Sequence, residues 1–368
     1  MTTATYVGGQ FELDLADLFT AGATSRRDGI WTTTARTGLA LIETALARES
    51  PRSLPVLLPS YVCDAVVQPF REAGRTVRFY RVDDRLHVDM GDLERHIQRD
   101  GAAAVLFVQY FGIPVDDESI AALARLRDSV RVIEDCAQGG LLEADTVMGK
   151  TGDFVITSLR KYLPVPDGAL LLDRTGTVQP PASDGPSELA SLRLAGQLLR
   201  GAALSGAADA ASEAGYLELF ERAEATATSA VPHRPMWGLS AALLDRIDVV
   251  AARERRIENY GLLHAAVSDR MPDLDALLPL DLPQASSPLV LPLRIREGRR
   301  DALRSALRRR GVFTPVHWPL PPAIDAEEFP EAARLSADEL GLPVDQRYDG
   351  EQMGRVVDAL ASAVREAL

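Results

Sequence analysis

The feature that most limits how this chain can fold is an alternation that begins at Leu54. Short, nearly continuous apolar runs at Leu54–Leu58, Thr76–Tyr80, Ala102–Val108, Val130–Glu134, Asp153–Thr157 and Gly168–Leu172 read as strands. Between them, Val62–Ala73, Asp89–Arg99 and Asp116–Arg127 carry helical spacing. Strands that are apolar at successive positions are buried on both faces, and strands alternating with helices build a mostly parallel sheet covered on each side. Ahead of them, Arg36–Arg48 reads as an amphipathic helix with candidate caps in Thr32–Thr34. The expected fold class is α/β.

Beyond Leu172 the pattern changes. Gly176–Pro186 is turn-rich, and 187–228 is Ala-rich and helical. A long helical pattern at Leu239–Leu263 leads to a second region. There a strand at Leu289–Ile295, a helix at Arg299–Arg310, an extended stretch Val312–Val316 and a closing helix Gly354–Ala367 follow. At 368 residues the chain is longer than one core usually supports. The expected organisation is an N-terminal arm (1–30), a large α/β domain (31–245, including 187–228) and a smaller α+β domain (246–368).

Charge and residue counts narrow the function. A formal net charge of −13 argues against general nucleic-acid binding, which needs clustered Lys and Arg. The Arg-rich stretch Arg294–Arg310 reads instead as Arg-Ile-Arg and then a helix with Leu303 and Leu307 inward and arginines on the solvated face. Cys63 and Cys136 make neither a disulfide framework nor a zinc site, and the histidines stand singly, so no metal site is expected. Met1–Gln10 lacks a signal-peptide pattern, and no apolar run approaches the ~20 residues of a membrane span. A cytoplasmic protein without membrane partners is the expectation.

The residues that suggest chemistry are Asp135, Ser158 and Lys161. Asp135 stands at the carboxyl end of the Val130–Glu134 run, and Ser158-Leu-Arg-Lys161 follows the next strand. Ligand sites of open α/β sheets gather at such ends. Pyridoxal phosphate (PLP) needs a lysine amine to form an imine with its aldehyde and an acid to keep its pyridine nitrogen protonated. By spacing alone, these residues are equally a surface lysine and a helix-capping aspartate.

An ordered set of motifs goes further. Pro59-Ser-Tyr-Val-Cys63, Val108-Gln-Tyr-Phe-Gly112, Glu134-Asp-Cys-Ala-Gln138, Ser158-Leu-Arg-Lys161, Val316-His-Trp-Pro-Leu320 and Leu340-Gly-Leu-Pro343 resemble the sugar aminotransferase family called DegT/DnrJ/EryC1/StrS, from about Trp31 to the C-terminus. The resemblance implies the aspartate-aminotransferase-like PLP fold type I, with a mainly parallel seven-stranded sheet and a small α+β domain. It implies pyridoxal 5′-phosphate bound to Lys161, with Asp135 on the pyridine nitrogen, Gln138 near the phenolic oxygen and Ser158 on the phosphate. Thr37 and Gly38 fall near the family's helix-start Gly-Thr pair, either a phosphate cradle or an ordinary cap. His317 and Trp318 lie in a segment that the family folds over the substrate. A homodimer with interfacial sites, an amino-acid donor and a keto-sugar acceptor are further implications.

The departures from the family are specific. Ser158 stands three residues before Lys161 where the family usually has five. Cys63 occupies a place where many members have an aromatic, with Tyr61 two residues earlier; one covers the ring, or Cys63 is a small buried hydrophobe. Where members carry a cross-subunit Asn, this chain has Pro232-His-Arg-Pro235, so His233 or Arg234 is the candidate substitute. These differences leave open another PLP reaction on the same fold, such as elimination, dehydration or amino-acid-directed chemistry. Retention of Lys161 and Asp135 argues against a non-catalytic member. The P-loop-like Ala144–Thr151 does not directly follow a strand, and reads as a turn rather than a nucleotide site.

Overall fold

The structure, a computed structural model, describes residues 6–13, 26–139, 148–182, 185–206, 210–228, 233–271, 274–283 and 286–367. The first strands are β1 (Val7–Gly8) and β2 (Ile30–Thr32), followed by helix α1 (Ala35–Glu49). Strand and helix then alternate: β3 (Val56–Pro59), α2 (Asp64–Glu72), β4 (Val77–Tyr80), α3 (Met90–Asp100), β5 (Ala104–Val108), α4 (Asp117–Leu126) and β6 (Arg131–Cys136). β7 (Phe154–Thr157) and β8 (Ala169–Asp173) complete a seven-stranded sheet of order β2-β8-β7-β6-β5-β3-β4. The pairs β3–β4, β3–β5, β5–β6 and β6–β7 are parallel; β7–β8 and β2–β8 are antiparallel. This is the mainly parallel sheet that the alternation leads one to expect.

Burial explains why those runs are so apolar. Every side chain of β3, β5 and β7 is buried, because α1 to α4 cover the sheet and shield it from water. Each of the larger side chains, such as Phe107 and Leu106 at 0% exposure, contributes roughly 1.5–3 kcal/mol of burial. β3 begins at Val56 rather than Leu54, since Pro55 has no amide to donate and the Leu54 amide closes a turn onto Pro51 O at 3.0 Å. Gly38 lets α1 lie against the sheet: a Cβ there would stand 2.3 Å from Ile156 Cδ1.

The Ala-rich segment forms two long helices, α5 (Glu188–Leu204) and α6 (Ala210–Thr228), packed on one another. The Leu239–Leu263 pattern is split into α7 (Gly238–Leu244) and α8 (Val249–Arg270), because Asp248 caps a new helix by accepting the Ala251 amide at 3.0 Å. The remaining elements are β9 (Asp275–Ala276), β10 (Val290–Arg294), α9 (Arg300–Arg309), β11 (Val312–Phe313), α10 (Pro330–Asp338), β12 (Glu339–Pro343) and α11 (Gly350–Ala367). β12, β10 and β9 form an antiparallel sheet over which α8, α9 and α11 build a second core. β1 returns across the chain to pair in parallel with β11. Arg294, the last residue of β10, is 8% exposed and reaches Asp84. Among the described residues, no helix is long and apolar enough to cross a membrane.

Candidate active site

Three strand ends and a single helical turn bring the candidate residues together. Asp135 lies inside β6, flanked by Val108 of β5 and Ile156 of β7, and is 4% exposed. One of its oxygens accepts the Ala137 amide at 2.8 Å, and the second has no hydrogen bond among the described residues. Ser158 follows β7, 4% exposed, with a hydroxyl that caps no helix. Lys161 ends the turn Leu159–Lys161, which Leu159 and the fully buried Tyr162 fix into a small core with α7 and α8. Burial holds the Lys161 amine below its ordinary pKa, with Cys63 and Asp135 opposing that shift. Burial likewise raises the Asp135 carboxyl, and Lys161 pulls it back.

The turn is gripped from the second core. Arg256 of α8, 1% exposed, donates to Tyr162 O at 3.3 Å and Pro288 O at 3.1 Å, and stacks 4.7 Å above the Tyr162 ring. Gln346 donates to the same Tyr162 O at 2.7 Å. Neither residue stands out in the sequence, where an arginine on a long helix reads as a surface charge.

Gln138 accepts the Phe111 amide at 2.9 Å through Oε1, while its buried Nε2 has no partner among the described residues. The loop carrying Phe111 approaches so closely that a Cβ on Gly112 would stand 1.8 Å from Ser287 O; glycine is required there. Tyr61 is 2% exposed and packed 5.7 Å from Tyr110 and 5.3 Å from Trp318. Cys63 caps the start of α2 by position only, within electrostatic range of Arg36, Arg160 and Lys161. His317 donates its amide to Glu339 at 2.6 Å and turns Nδ1 toward the same carboxylate at 3.3 Å.

A cleft of about 870 Å³ opens onto Lys161, with Arg160, His317, Trp318, Phe220 and Gln10 in its wall. Asp135, Gln138 and Ser158 are buried rather than on that wall. At the start of α1, the Thr37 amide donates to Thr34 Oγ1 and the Gly38 amide to Thr34 O, both at 3.1 Å. The cap therefore uses the amides of Thr37 and Gly38, and those of Ala35 and Arg36 have no partner among the described residues. His233 is exposed, does not line the cleft, and belongs to a segment held to β2 through Thr33 and Arg234.

The P-loop-like stretch has a different use. Residues 144–147 lie outside the described residues, but the amides of Gly149, Thr151 and Gly152 donate to the wholly buried Glu134 at 2.6, 2.9 and 3.1 Å. An internal carboxylate thus takes the amides that a phosphate would need.

Comparison with known proteins places this geometry. The sequence profile of the DegT/DnrJ/EryC1/StrS aminotransferase family matches residues 9–164, a span that ends just past Lys161. Over that span, less than half of its length, the chain is similar to the family. No curated protein sequence matches it. Among solved structures, the aminotransferase TlmJ from Streptoalloteichus hindustanus is 19% identical with a TM-score of 0.67, covering 98% of this chain and 99% of its own. PseC from Helicobacter pylori, an aminotransferase involved in pseudoaminic acid biosynthesis, is 14% identical with a TM-score of 0.69, covering 98% and 99%. A putative sugar aminotransferase of Streptococcus pneumoniae, Spr1654 in its PLP form, is 14% identical with a TM-score of 0.68, covering 99% and 100%. At these identities the likeness establishes the fold.

The unpaired groups fit the cofactor that the resemblance implies. Among the described residues, Gln138 Nε2 is buried without a partner, and the second Asp135 oxygen, the Ser158 hydroxyl and Lys161 have no hydrogen bond or ion pair; a polar group left so inside a protein is costly unless a ligand completes it. A ring nitrogen, a phenolic oxygen, a phosphate and an aldehyde supply the matching partners.

Proposed function

We propose that this chain is a PLP-dependent aminotransferase that moves an amino group from an amino-acid donor to a keto-sugar. The observation that carries the reading is the set of unpaired polar groups around Lys161 in a chain similar to the aminotransferase family. When bound, PLP supplies an aldehyde for covalent capture of amines and a protonated ring that accepts the electron pair of a broken C–H bond.

The chain's own residues supply the rest. Lys161, held toward its neutral form by burial, is the nucleophile that captures the cofactor and then carries the proton at the substrate carbon. Asp135 holds the proton at the ring nitrogen. Gln138 Nε2 donates to the ring oxygen, and the Ser158 hydroxyl with the Ala35 and Arg36 amides binds the phosphate at the start of α1. Thr37 and Gly38 shape that helix start, while Cys63 and Tyr61 lie behind the ring position. His317 and Trp318 form the cleft wall against the substrate. A keto-sugar acceptor is supported by the family assignment and by the printed functions of PseC and Spr1654.

Borohydride reduction of the holoenzyme tests this directly. Peptide mapping should place the fixed cofactor on Lys161, and adding glutamate beforehand should replace the visible band by the near-ultraviolet band of the amine form. A Lys161→Ala protein that still forms a reducible adduct would overturn the assignment.

A further inference from the structure

The arginines around the cleft are not equally compensated. Arg200 and Arg347 share Glu12, at 3.2 and 2.8 Å, and Arg347 also holds Asp345 at 2.8 Å, so two cations meet two carboxylates. Arg160 and Arg193 are different. Arg160 reaches Glu224 at 3.2 Å, and Arg193 contacts the same Glu224 oxygen. Two guanidinium groups therefore share one carboxylate.

Arg193 is the more exacting of the pair. Its side chain is 3% exposed and, among the described residues, its Nε has no partner and its one other polar contact is Gln10 Oε1 at 3.5 Å. A buried guanidinium with an unused donor is costly unless a second anion completes it. The one counter-ion is poorly suited to stay: Glu224 is 46% exposed and projects from α6. Arg160 lines the same cleft as its chain neighbour Lys161, and Gln10 and Phe220, next to Arg193 and Glu224, line it too.

We propose that Arg160 and Arg193 form the subsite for a substrate carboxylate, and that Glu224 occupies its place until the substrate enters. The planar fork of each guanidinium suits a carboxylate, and a carboxylate here would place its substrate beside Lys161. The inference rests on the aminotransferase reading and extends it to a charge requirement on the substrate. It also gives the α5–α6 pair, which lies beyond the span of the family profile, a part in recognition.

Calorimetric titration of the holoenzyme tests it, with glutarate as a stand-in for a dicarboxylic donor that has no amino group to transfer, and glucuronate as a stand-in for an acidic sugar. We expect saturable binding of one of them, and which one identifies the source of the carboxylate. Arg160→Gln and Arg193→Gln should each weaken it about tenfold or more, the loss of a charged hydrogen bond. Glu224→Gln should tighten it several-fold, because the competing carboxylate is gone. A purely structural ion pair predicts the opposite or no change for Glu224→Gln; that result, or no binding of either acid, overturns the proposal. Should the buried Arg193 variant fail to fold, the partly exposed Arg160 and Glu224 still decide. An adduct on Lys161 without acid binding would sink this inference alone, whereas acid binding with the expected variant pattern but no adduct would sink the aminotransferase reading alone.

Discussion

Asp167 shows how much one buried group beside the site can matter. It is 0% exposed in the loop after Lys161, and its carboxylate accepts the Trp237 amide that opens α7, at 3.2 and 3.3 Å. Burial pushes its pKa up from 3.8 to about 6, with Ser240 and the Trp237 amide offsetting part of the shift. A raised carboxyl pKa means the folded state prefers the proton. Its contribution to stability is therefore present below the unfolded value and is lost as pH rises through about 6. We expect Asp167→Asn to gain on wild type by on the order of 3 kcal/mol between pH 4 and pH 7. Urea unfolding of both proteins across that range checks it; a stability difference that does not change with pH refutes it. Glu134 makes the complementary point. Sequence spacing likens Gly149-Lys-Thr151 to a phosphate loop, but only the packed chain shows that Glu134 already fills it.

At the scale of elements, the turn bearing Lys161 is too short to hold itself. It has three residues and sits between β7 and β8, so its position depends on Arg256 and Gln346 from the second core. Replacing Arg256 by Met would take this donor from the carbonyls of Pro288 and Leu289 and leave Tyr162 O with Gln346 alone. We expect a loss of about 3–5 kcal/mol in denaturant unfolding, with Arg256→Lys recovering only part of it because an ammonium lacks the planar fork. A variant as stable as wild type would show that the clamp is dispensable. Strands β3, β5 and β7 were legible in the sequence because a strand buried on both faces must be apolar throughout. β12 was not, since Glu339-Leu-Gly-Leu-Pro343 mixes a charge, a glycine and a proline, and it pairs only as the edge of a small antiparallel sheet. Glu339 there is fully buried and binds the His317 amide, a pairing that no local pattern announces.

For the whole molecule, we infer a homodimer whose sites lie at the subunit interface, as the family resemblance implies. His233, exposed and off the wall of its own cleft, is the residue we propose to reach a partner's phosphate site. Light scattering of the holoenzyme should give about twice the chain mass of 39.8 kDa. A monomer at working concentration would remove the interfacial site and His233's part in it.

Local sequence is enough to specify the α/β sheet, the strand ends that carry Asp135 and Ser158, and the turn that carries Lys161. Each is encoded locally, in apolar runs and in the spacing of a few polar residues after them. Tertiary structure alone decided which charges are balanced and which wait for a ligand. Arg193 and Glu224 stand on different helices, Arg256 and Gln346 are far apart along the chain, and Glu134 meets its amides only through the fold. The cost of burying a charge depends on what folding brings beside it, so the turn after β7 could be read locally and the balance of charges around it only from packing.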